Sequence, residues 1–125
     1  MIYNEYKLSY YKNSRNRKKP VYEYIKIQDK KDRAKIFRYF ELLVISEGYL
    51  NEPYSKHVIE KIRELRVDFS VNHHRIFYFT FVNKNIILLH AFLKKSGKLP
   101  EQEIKRAQEN FQDLINNPES YEKAN

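Results

Sequence analysis

Residues 64–93 decide the fold of this chain. They read ELRVDF (64–69), SVNHH (70–74), RIFYFTFV (75–82), NKN (83–85) and IILLHAFL (86–93). The first segment alternates apolar and charged residues, which is typical of a strand with one buried face. The third and fifth segments are rich in aromatic and β-branched residues, and short polar turns join all three. The stretch therefore predicts an antiparallel meander of three strands.

The residues before this meander predict one more strand and two helices. Residues 6–12 alternate loosely and are rich in tyrosine, which indicates an opening strand. Pro20 suits the first position of a short helix, and Asp29 can cap a second one. Gly48 is expected to end the second helix in a left-handed conformation. Residues 51–61 are interpreted as a connecting stretch.

A last helix is predicted after the meander, opened by Pro100 and ended by Pro118. Together these elements predict a single α+β domain over residues 1–125. Its antiparallel sheet consists of the N-terminal strand plus the three-strand meander. Two N-terminal helices and a C-terminal helix are expected to pack on the apolar side of that sheet.

The composition excludes several classes of site. The chain has 125 residues and no cysteine, which excludes disulfides, a thiolate nucleophile, a cysteine-ligated zinc site and an iron–sulfur cluster. Two glycines are too few for a Walker loop or a dinucleotide fingerprint. No apolar run approaches the roughly 20 residues of a membrane span, and the N-terminus lacks the apolar core of a secretory signal. We therefore expect a cytoplasmic protein with no membrane partner.

The net charge of +8 favours an anionic partner, either a nucleic acid or an acidic protein, with a solvated lysine-rich surface as the alternative. Two arginines of the meander could bind phosphate. Arg66 lies mid-strand, where an ion pair with Glu64 or Asp68 is the alternative. Arg75 shares a strand face with Phe77, so the pair could hold a phosphate and stack a base, unless the ring belongs to the core.

The last strand of the meander carries further polar residues. His90 sits in an otherwise apolar strand and by alternation shares a face with Leu88, where a hydrogen-bonded core histidine is the commoner role. Lysines follow at the end of the strand: Lys94, Lys95 and Lys98. Because antiparallel strands end side by side, these lysines could converge on Arg75. The alternative is a solvated strand end.

The sequence contains no pattern of metal ligands. His73 and His74 are adjacent and would point to opposite faces of a strand, and neither HExxH nor a carboxylate pair occurs. Phosphoryl chemistry would therefore rely on cations. RNA permits this, because its own 2′-OH can attack the neighbouring phosphate when the protein supplies a base, an acid and positive charge.

Four motifs together resemble the RelE/HigB toxin superfamily, and within it the phage-derived HigB-like branch. They are Glu64–Arg66, Arg75–Phe79, Leu88–Lys95 and Pro100–Ala107. The resemblance covers most of the chain, and the predicted order of helices and strands agrees with that family's fold. It implies the toxin of a type II toxin–antitoxin system, which cleaves mRNA in the ribosomal A site without metal or cofactor. Its partner would be an antitoxin, often a helix-turn-helix DNA-binding protein.

The resemblance also implies which residues form the site. The expected catalytic residues are Arg66, Arg75, Lys94 and Lys95. Asp68 stands where some members carry a lysine, and the C-terminal catalytic tyrosine or histidine of other members has no clear counterpart here. Lys56 and His57, just before the meander, are therefore candidates for substrate contact or general base. The expected substrate-binding residues are Lys56, His57, Phe77, His90 and Lys98.

Two other functions stay open at this point. A ParE-like toxin has the same fold and poisons DNA gyrase without cleaving RNA, although gyrase poisoning does not demand a cluster of phosphate-binding cations. A non-catalytic nucleic-acid-binding or regulatory module is the second alternative, in which the cations bind and nothing is cleaved. One scaffold can carry different activities, so the resemblance in fold does not choose among them.

Overall fold

The computed structural model describes residues 5–95 and 97–124. Its helices are α1 (Pro20–Lys26), α2 (Lys30–Ile45) and α3 (Glu101–Asn116). Its strands are β1 (Lys7–Tyr11), β2 (Ser55–Ile59), β3 (Ile62–Phe69), β4 (Asn72–Phe81), β5 (Asn85–Lys94) and β6 (Tyr121–Lys123). The strands form one sheet in the order β2-β3-β4-β5-β1-β6. The predicted α+β class is confirmed.

The meander of β3, β4 and β5 is antiparallel, as predicted. The N-terminal strand was predicted to be antiparallel as well, and this was wrong: β1 lies parallel to β5, with Ser9 opposite Ile87. Helix α1 packs on β1 and β5, and α2 packs on β1 and β3, so the two helices carry the chain across one face of the sheet before β2 begins. That crossover sets the direction of β1 relative to β5, and residue alternation within β1 does not reveal it.

Residues 51–61 were predicted to be a connection, but they contain strand β2. This strand pairs antiparallel with β3 and forms one edge of the sheet. Lys56 and His57 lie in its middle and are both exposed. An edge strand with polar residues at successive positions lacks the alternation by which strands are recognised in a sequence.

Helices cover both faces of the sheet, whereas the sequence predicted helices on one apolar side. Ile25, Ile36 and Leu43 of α1 and α2 pack on one face, and Ala107 and Leu114 of α3 pack on the other. Strands β4 and β5 are therefore buried from both sides, which explains their continuous apolar runs. Within residues 5–95 and 97–124, no helix has both the length and the apolar character that crossing a membrane requires.

A bulge in β5 changes which side chains share a face. Phe77 lies opposite His90, but the next residue of β4, Tyr78, lies opposite Leu88, so Leu89 is an extra residue in β5. Leu88 consequently packs on the side of α1 and α2, while Phe92 packs on the side of α3. The expectation that His90 and Leu88 share a face was wrong for this reason.

Gly48 ends the turn that follows α2, as predicted. Its φ is +82°, and its N–H donates to the carbonyl oxygen of Leu43 at 2.8 Å. A Cβ atom at this position would lie 2.7 Å from the Thr80 hydroxyl oxygen. The backbone conformation and the close approach of β4 both require glycine here.

Candidate functional site

The meander arranges the candidate residues in rows on the face of the sheet that α3 covers. Across β3, β4 and β5 the rows are Glu64–Phe77–His90, Arg66–Arg75–Phe92 and Asp68–His73–Lys94. Strand β2 extends the first row, because Lys56 lies opposite Glu64. Most of the candidate residues therefore lie within a few strand positions of one another. They differ in how deeply each side chain is buried.

An open pocket of about 280 Å³ lies on this face, and we call it the basic pocket. Its polar and charged lining residues are Lys56, His57, Glu64, Arg66 and Lys94. Leu99 and Ile104, at the start of α3, form part of its apolar wall. The structure thus brings together four of the residues selected from the sequence, from β2, β3 and the end of β5.

Glu64 is the member of the basic pocket that the sequence reasoning missed as a functional candidate. Its side chain is 1% exposed, and its Oε1 accepts a hydrogen bond of 2.8 Å from Nε of Arg66. This confirms the ion pair considered as the alternative for Arg66. Its Oε2 is buried and has no hydrogen-bond donor within the described part of the chain. A buried carboxylate oxygen is nearly always hydrogen-bonded, so Glu64 places an unsatisfied acceptor in the wall of the basic pocket.

Two lysines supply the free positive charge of the basic pocket. Lys56 is exposed and Lys94 is half-buried, and neither side chain forms an ion pair or hydrogen bond with another residue in 5–95 or 97–124. His57 lies beside them, and its Nε2 is 2.7 Å from the carbonyl oxygen of Glu60. With Arg66, the two lysines make three cations around the Glu64 carboxylate, and the net charge of the group is positive.

Arg75 does not line the basic pocket, although its row lies beside it. The residue is 6% exposed, and its guanidinium donates to Oδ1 of Asp68 at 2.7 Å and to the carbonyl oxygen of His74 at 2.9 Å. Partial burial acts to raise the pKa of Asp68, but the hydrogen bonds from Arg75 and His73 outweigh it and lower that pKa. Lys94 shares a face with Arg75, but the guanidinium is bound to Asp68, so the lysines do not converge on a free arginine.

Phe77 belongs to the packed core beneath α3, and the partly buried His90 lies beside it. Phe77 is 0% exposed, with its ring centroid 6.4 Å from that of His90 and 5.4 Å from that of Phe92. The prediction that Phe77 contacts substrate is therefore corrected, because its ring has no open face. A hydrogen bond of 2.6 Å joins Nε2 of His90 to Oε1 of Glu103. His90 is thus hydrogen-bonded, as the alternative for it held, but its side chain is 12% exposed and lies at the margin of the core.

The remaining lysines lie outside the pocket. Lys95 and Lys98 follow β5, are exposed, and are not among the residues that line the basic pocket. Lys94 is the last residue of β5, and Lys95 already lies beyond the strand. The pocket therefore uses one lysine of the predicted pair.

The family match covers this site. Residues 23–112 match the model of the phage-derived Gp49-like proteins, a range that includes the second half of α1, all of α2, the meander and most of α3. The chain belongs to the phage-derived Gp49-like family. This family is associated with the toxins of toxin–antitoxin systems. No curated protein is similar enough in sequence to count as a relative.

This Gp49-like protein has a second polar cluster, on the opposite face of the sheet, that the sequence reasoning missed. His74 is completely buried, with Nε2 at 2.6 Å from Oδ2 of Asp32 and Nδ1 at 2.6 Å from the hydroxyl oxygen of Tyr24. Asn72 donates to the same Asp32 oxygen at 3.0 Å. The hydrogen bond from His74 lowers the pKa of Asp32, against the opposing effect of burial, and Asn72 lowers it further. The cluster ties α1 and α2 to β4 directly behind Arg75.

Neither cluster has the composition of a metal site. In the chain as described, residues 5–95 and 97–124, no three His, Asp or Glu side chains lie close enough together to hold a metal ion. The basic pocket instead offers guanidinium and ammonium groups, which suit phosphate.

Proposed function

We propose that this protein is the toxin of a type II toxin–antitoxin system of the RelE/HigB kind, and that it cleaves mRNA in the ribosomal A site and so stops translation. The observation that carries the proposal is the basic pocket, in which three cations surround a buried carboxylate with one oxygen that has no donor among the described residues. The association of the Gp49-like family with toxins supports it. The cognate antitoxin, of the helix-turn-helix DNA-binding kind, is the partner that this function requires.

The proposed reaction uses the RNA as its own nucleophile. The 2′-oxygen loses its proton and attacks the adjacent phosphorus, and the bond from phosphorus to the 5′-oxygen breaks. The products are a 2′,3′-cyclic phosphate and a 5′-hydroxyl. The protein must accept one proton, donate one to the leaving oxygen, and stabilise the negative charge that develops on the phosphoryl oxygens.

The residues of the basic pocket fit these roles. Oε2 of Glu64 lacks a donor among the described residues, and a ribose 2′-OH would satisfy it while giving up its proton. Arg66 is fixed by Oε1 of the same carboxylate and would present its remaining N–H groups to the phosphate. Lys56 and Lys94 would add charge, and either could protonate the leaving 5′-oxygen. Arg75 is assigned a positioning role, because it binds Asp68 and does not face the pocket.

The test is a brief induction of the protein in cells, followed by mapping of RNA 5′ ends and measurement of protein synthesis. We compare the wild type with Glu64→Gln, which keeps the shape of the side chain and removes the proton acceptor. The matched control is Glu23→Gln, an exposed carboxylate on α1 at the other face of the sheet. We expect new mRNA ends within translated codons for the wild type and the control, and none for Glu64→Gln.

Other results would contradict the proposal. Intact mRNA with blocked DNA replication would favour a gyrase poison, and unchanged mRNA, replication and translation would favour a binding module. Purified RNA incubated with and without ribosomes then separates ribosome-dependent cleavage from cleavage of free RNA. A soluble Glu64→Gln variant that cleaves as fast as the wild type would exclude Glu64 as the base.

A further inference from the structure

Helix α2 carries more apolar side chains than the core of the domain uses. Ile36, Phe40 and Leu43 point into the core and are buried. Phe37 and Ile45 lie beside this buried row, yet they are 44% and 77% exposed. An exposed apolar row along a helix that is already anchored by another row indicates an interaction surface.

These side chains form one wall of a groove between α2 and the edge of the sheet. The groove has a volume of about 510 Å³, and its floor is made by Leu8 and Tyr10 of β1 and by Ala124 after β6. Among the described residues that line it, Glu41 alone is charged. Tyr10 and Phe37 also line an adjoining cavity of about 480 Å³ beside α1, so the two form one continuous surface.

The adjoining cavity gives the groove a basic end. It is lined by Lys19, Lys26, Arg33 and Lys123, and by one acidic residue, Glu122. Lys19 is engaged with Glu122 at 2.6 Å. Lys26 and Lys123 are exposed and form no ion pair in residues 5–95 and 97–124. The surface therefore combines an apolar floor with an excess of positive charge at one end.

We propose that this groove binds an amphipathic helix of a partner protein. The apolar side of that helix lies on Phe37 and Ile45, and its acidic residues lie over Lys26 and Lys123. From Arg33 to Ile45 the groove follows α2 for roughly 18 Å, which is about three turns of a helix. Strand β6 is only three residues long, too short to hold a partner by strand addition. The apolar floor does not suit a nucleic acid.

The proposed docking groove and the basic pocket proposed for RNA cleavage lie in different places on the molecule. The groove lies on the face of the sheet covered by α1 and α2, whereas the basic pocket lies on the face covered by α3. A failure of one proposal therefore leaves the other standing, and variants in the groove can be tested by binding alone.

The test uses two fluorescein-labelled synthetic helices of about 18 residues each. Both carry leucines on one face, and one has glutamates and the other lysines on the flanks. Fluorescence anisotropy is expected to show saturable binding of the Leu/Glu helix only. Ile45→Glu should weaken that binding about tenfold or more, and Lys26→Glu with Lys123→Glu should weaken it too. Val71→Glu is the control, because Val71 is an equally exposed apolar residue in the turn between β3 and β4.

Several outcomes would overturn the proposal. Equal binding of both peptides, binding of neither, or an Ile45→Glu variant that binds like the wild type would each do so. Sedimentation that shows a dimer dispersed by Ile45→Glu would assign the groove to a second copy of this chain instead. If Ile45→Glu proved unfolded by circular dichroism, the double lysine variant, which changes exposed residues only, would decide the question.

Discussion

Arg66 and Arg75 lie directly opposite each other on neighbouring strands, and each is bound by a different carboxylate of β3. Like charges in direct opposition across a sheet repel, so the pair needs compensation. Glu64 binds Arg66, and Asp68 binds Arg75. The alternation of charge along β3 thus holds two guanidinium groups in fixed positions.

This arrangement predicts that Arg66→Ala lowers stability as well as activity. The substitution leaves Glu64 buried with neither oxygen paired, and uncompensated buried charge is costly. Because Arg66 is itself partly exposed, we expect a loss of about 2 kcal/mol in the free energy of unfolding. Urea unfolding followed by circular dichroism measures it.

The control for this prediction is a double-mutant cycle. Most of the cost of Arg66→Ala comes from leaving the charge of Glu64 buried and unpaired, and Glu64→Gln removes that charge. The double variant should therefore lose less unfolding free energy than the sum of the losses of the two single variants. The ion pair would be contradicted if the loss of unfolding free energy in the double variant equalled the sum of the two single losses. An Arg66→Ala variant as stable as the wild type would contradict it as well. Loss of toxicity in Arg66→Ala alone would not distinguish catalysis from folding.

The sequence was informative where local patterns determine structure. Alternation in residues 64–69 and the apolar runs after it predicted the meander, and Gly48 predicted the end of α2. The direction of β1 and the presence of β2 depend on pairing with distant strands, which a local pattern does not encode. The bulge at Leu89 likewise depends on how β4 pairs with β5. Because the bulge shifts the alternation of side chains, Leu88 lies on the face opposite to the one predicted.

The candidate site shows the same division. Residue type and the family resemblance selected Lys56, Arg66 and Lys94, which the structure places around one pocket. Burial could not be predicted for Arg75 and Phe77, because both depend on α3 covering that face of the sheet. Glu64 was missed because a charged residue in an alternating strand is ordinarily assigned to solvent. A signal was available, however: Glu64 lies two residues before Arg66 and so shares its face.

Gly48→Ala should destabilise the protein, whereas Gly97→Ala should not. At Gly48 a methyl group would be strained by the positive φ and would lie 2.7 Å from the Thr80 hydroxyl oxygen. At Gly97 nothing lies within 4 Å of the same methyl position. We expect Gly48→Ala to lose about 1–3 kcal/mol of unfolding free energy, measured by urea unfolding. Equal stability of the two variants would show that α2 does not need glycine at its end.

The Asp32–His74 pair should make the protein sensitive to acid. Because the folded protein holds the pKa of Asp32 below its ordinary value of 3.8, mainly through His74, the ionised carboxyl stabilises the fold. That stabilisation is complete above the ordinary pKa and is lost as pH falls through the lower pKa of the folded state. Asp32→Asn should therefore lower the melting temperature at pH 7 and flatten its decline as pH falls below the ordinary pKa of 3.8.

Asp29→Asn is the matched control for this prediction. Asp29 lies three residues earlier, is exposed, and makes no side-chain hydrogen bond as the N-cap of α2. Its substitution should leave the decline of the melting temperature at acid pH as it is in the wild type. The decline that persists in Asp32→Asn is expected from Asp68, Asp113 and Glu122, whose pKa values are also lowered in the fold. If the melting temperature of Asp32→Asn declined at acid pH as steeply as that of the wild type, the Asp32–His74 pair would not be a source of acid sensitivity.

Lys56→Ala and Lys94→Ala give the cleanest test of the basic pocket. Neither lysine is paired with another residue of 5–95 or 97–124, so their removal should leave the unfolding free energy within experimental error of the wild type. If they stabilise the charge that develops on the phosphate, each substitution should slow RNA cleavage about 100-fold. Lys31→Ala, an exposed lysine on α2 at the other face of the sheet, is the control and should cleave normally.

The salt dependence of RNA binding distinguishes a direct contact between a lysine and a phosphate from a general effect of net charge. A lysine that touches phosphate releases a counterion on binding, so its loss should reduce the slope of log affinity against log salt by about 0.7 for single-stranded RNA. Lys31→Ala lowers the net charge by the same amount and should leave that slope unchanged. Cleavage at the wild-type rate in both pocket variants would place the phosphate elsewhere on the molecule. A reduced slope with normal cleavage would show that the lysines bind RNA without serving the reaction.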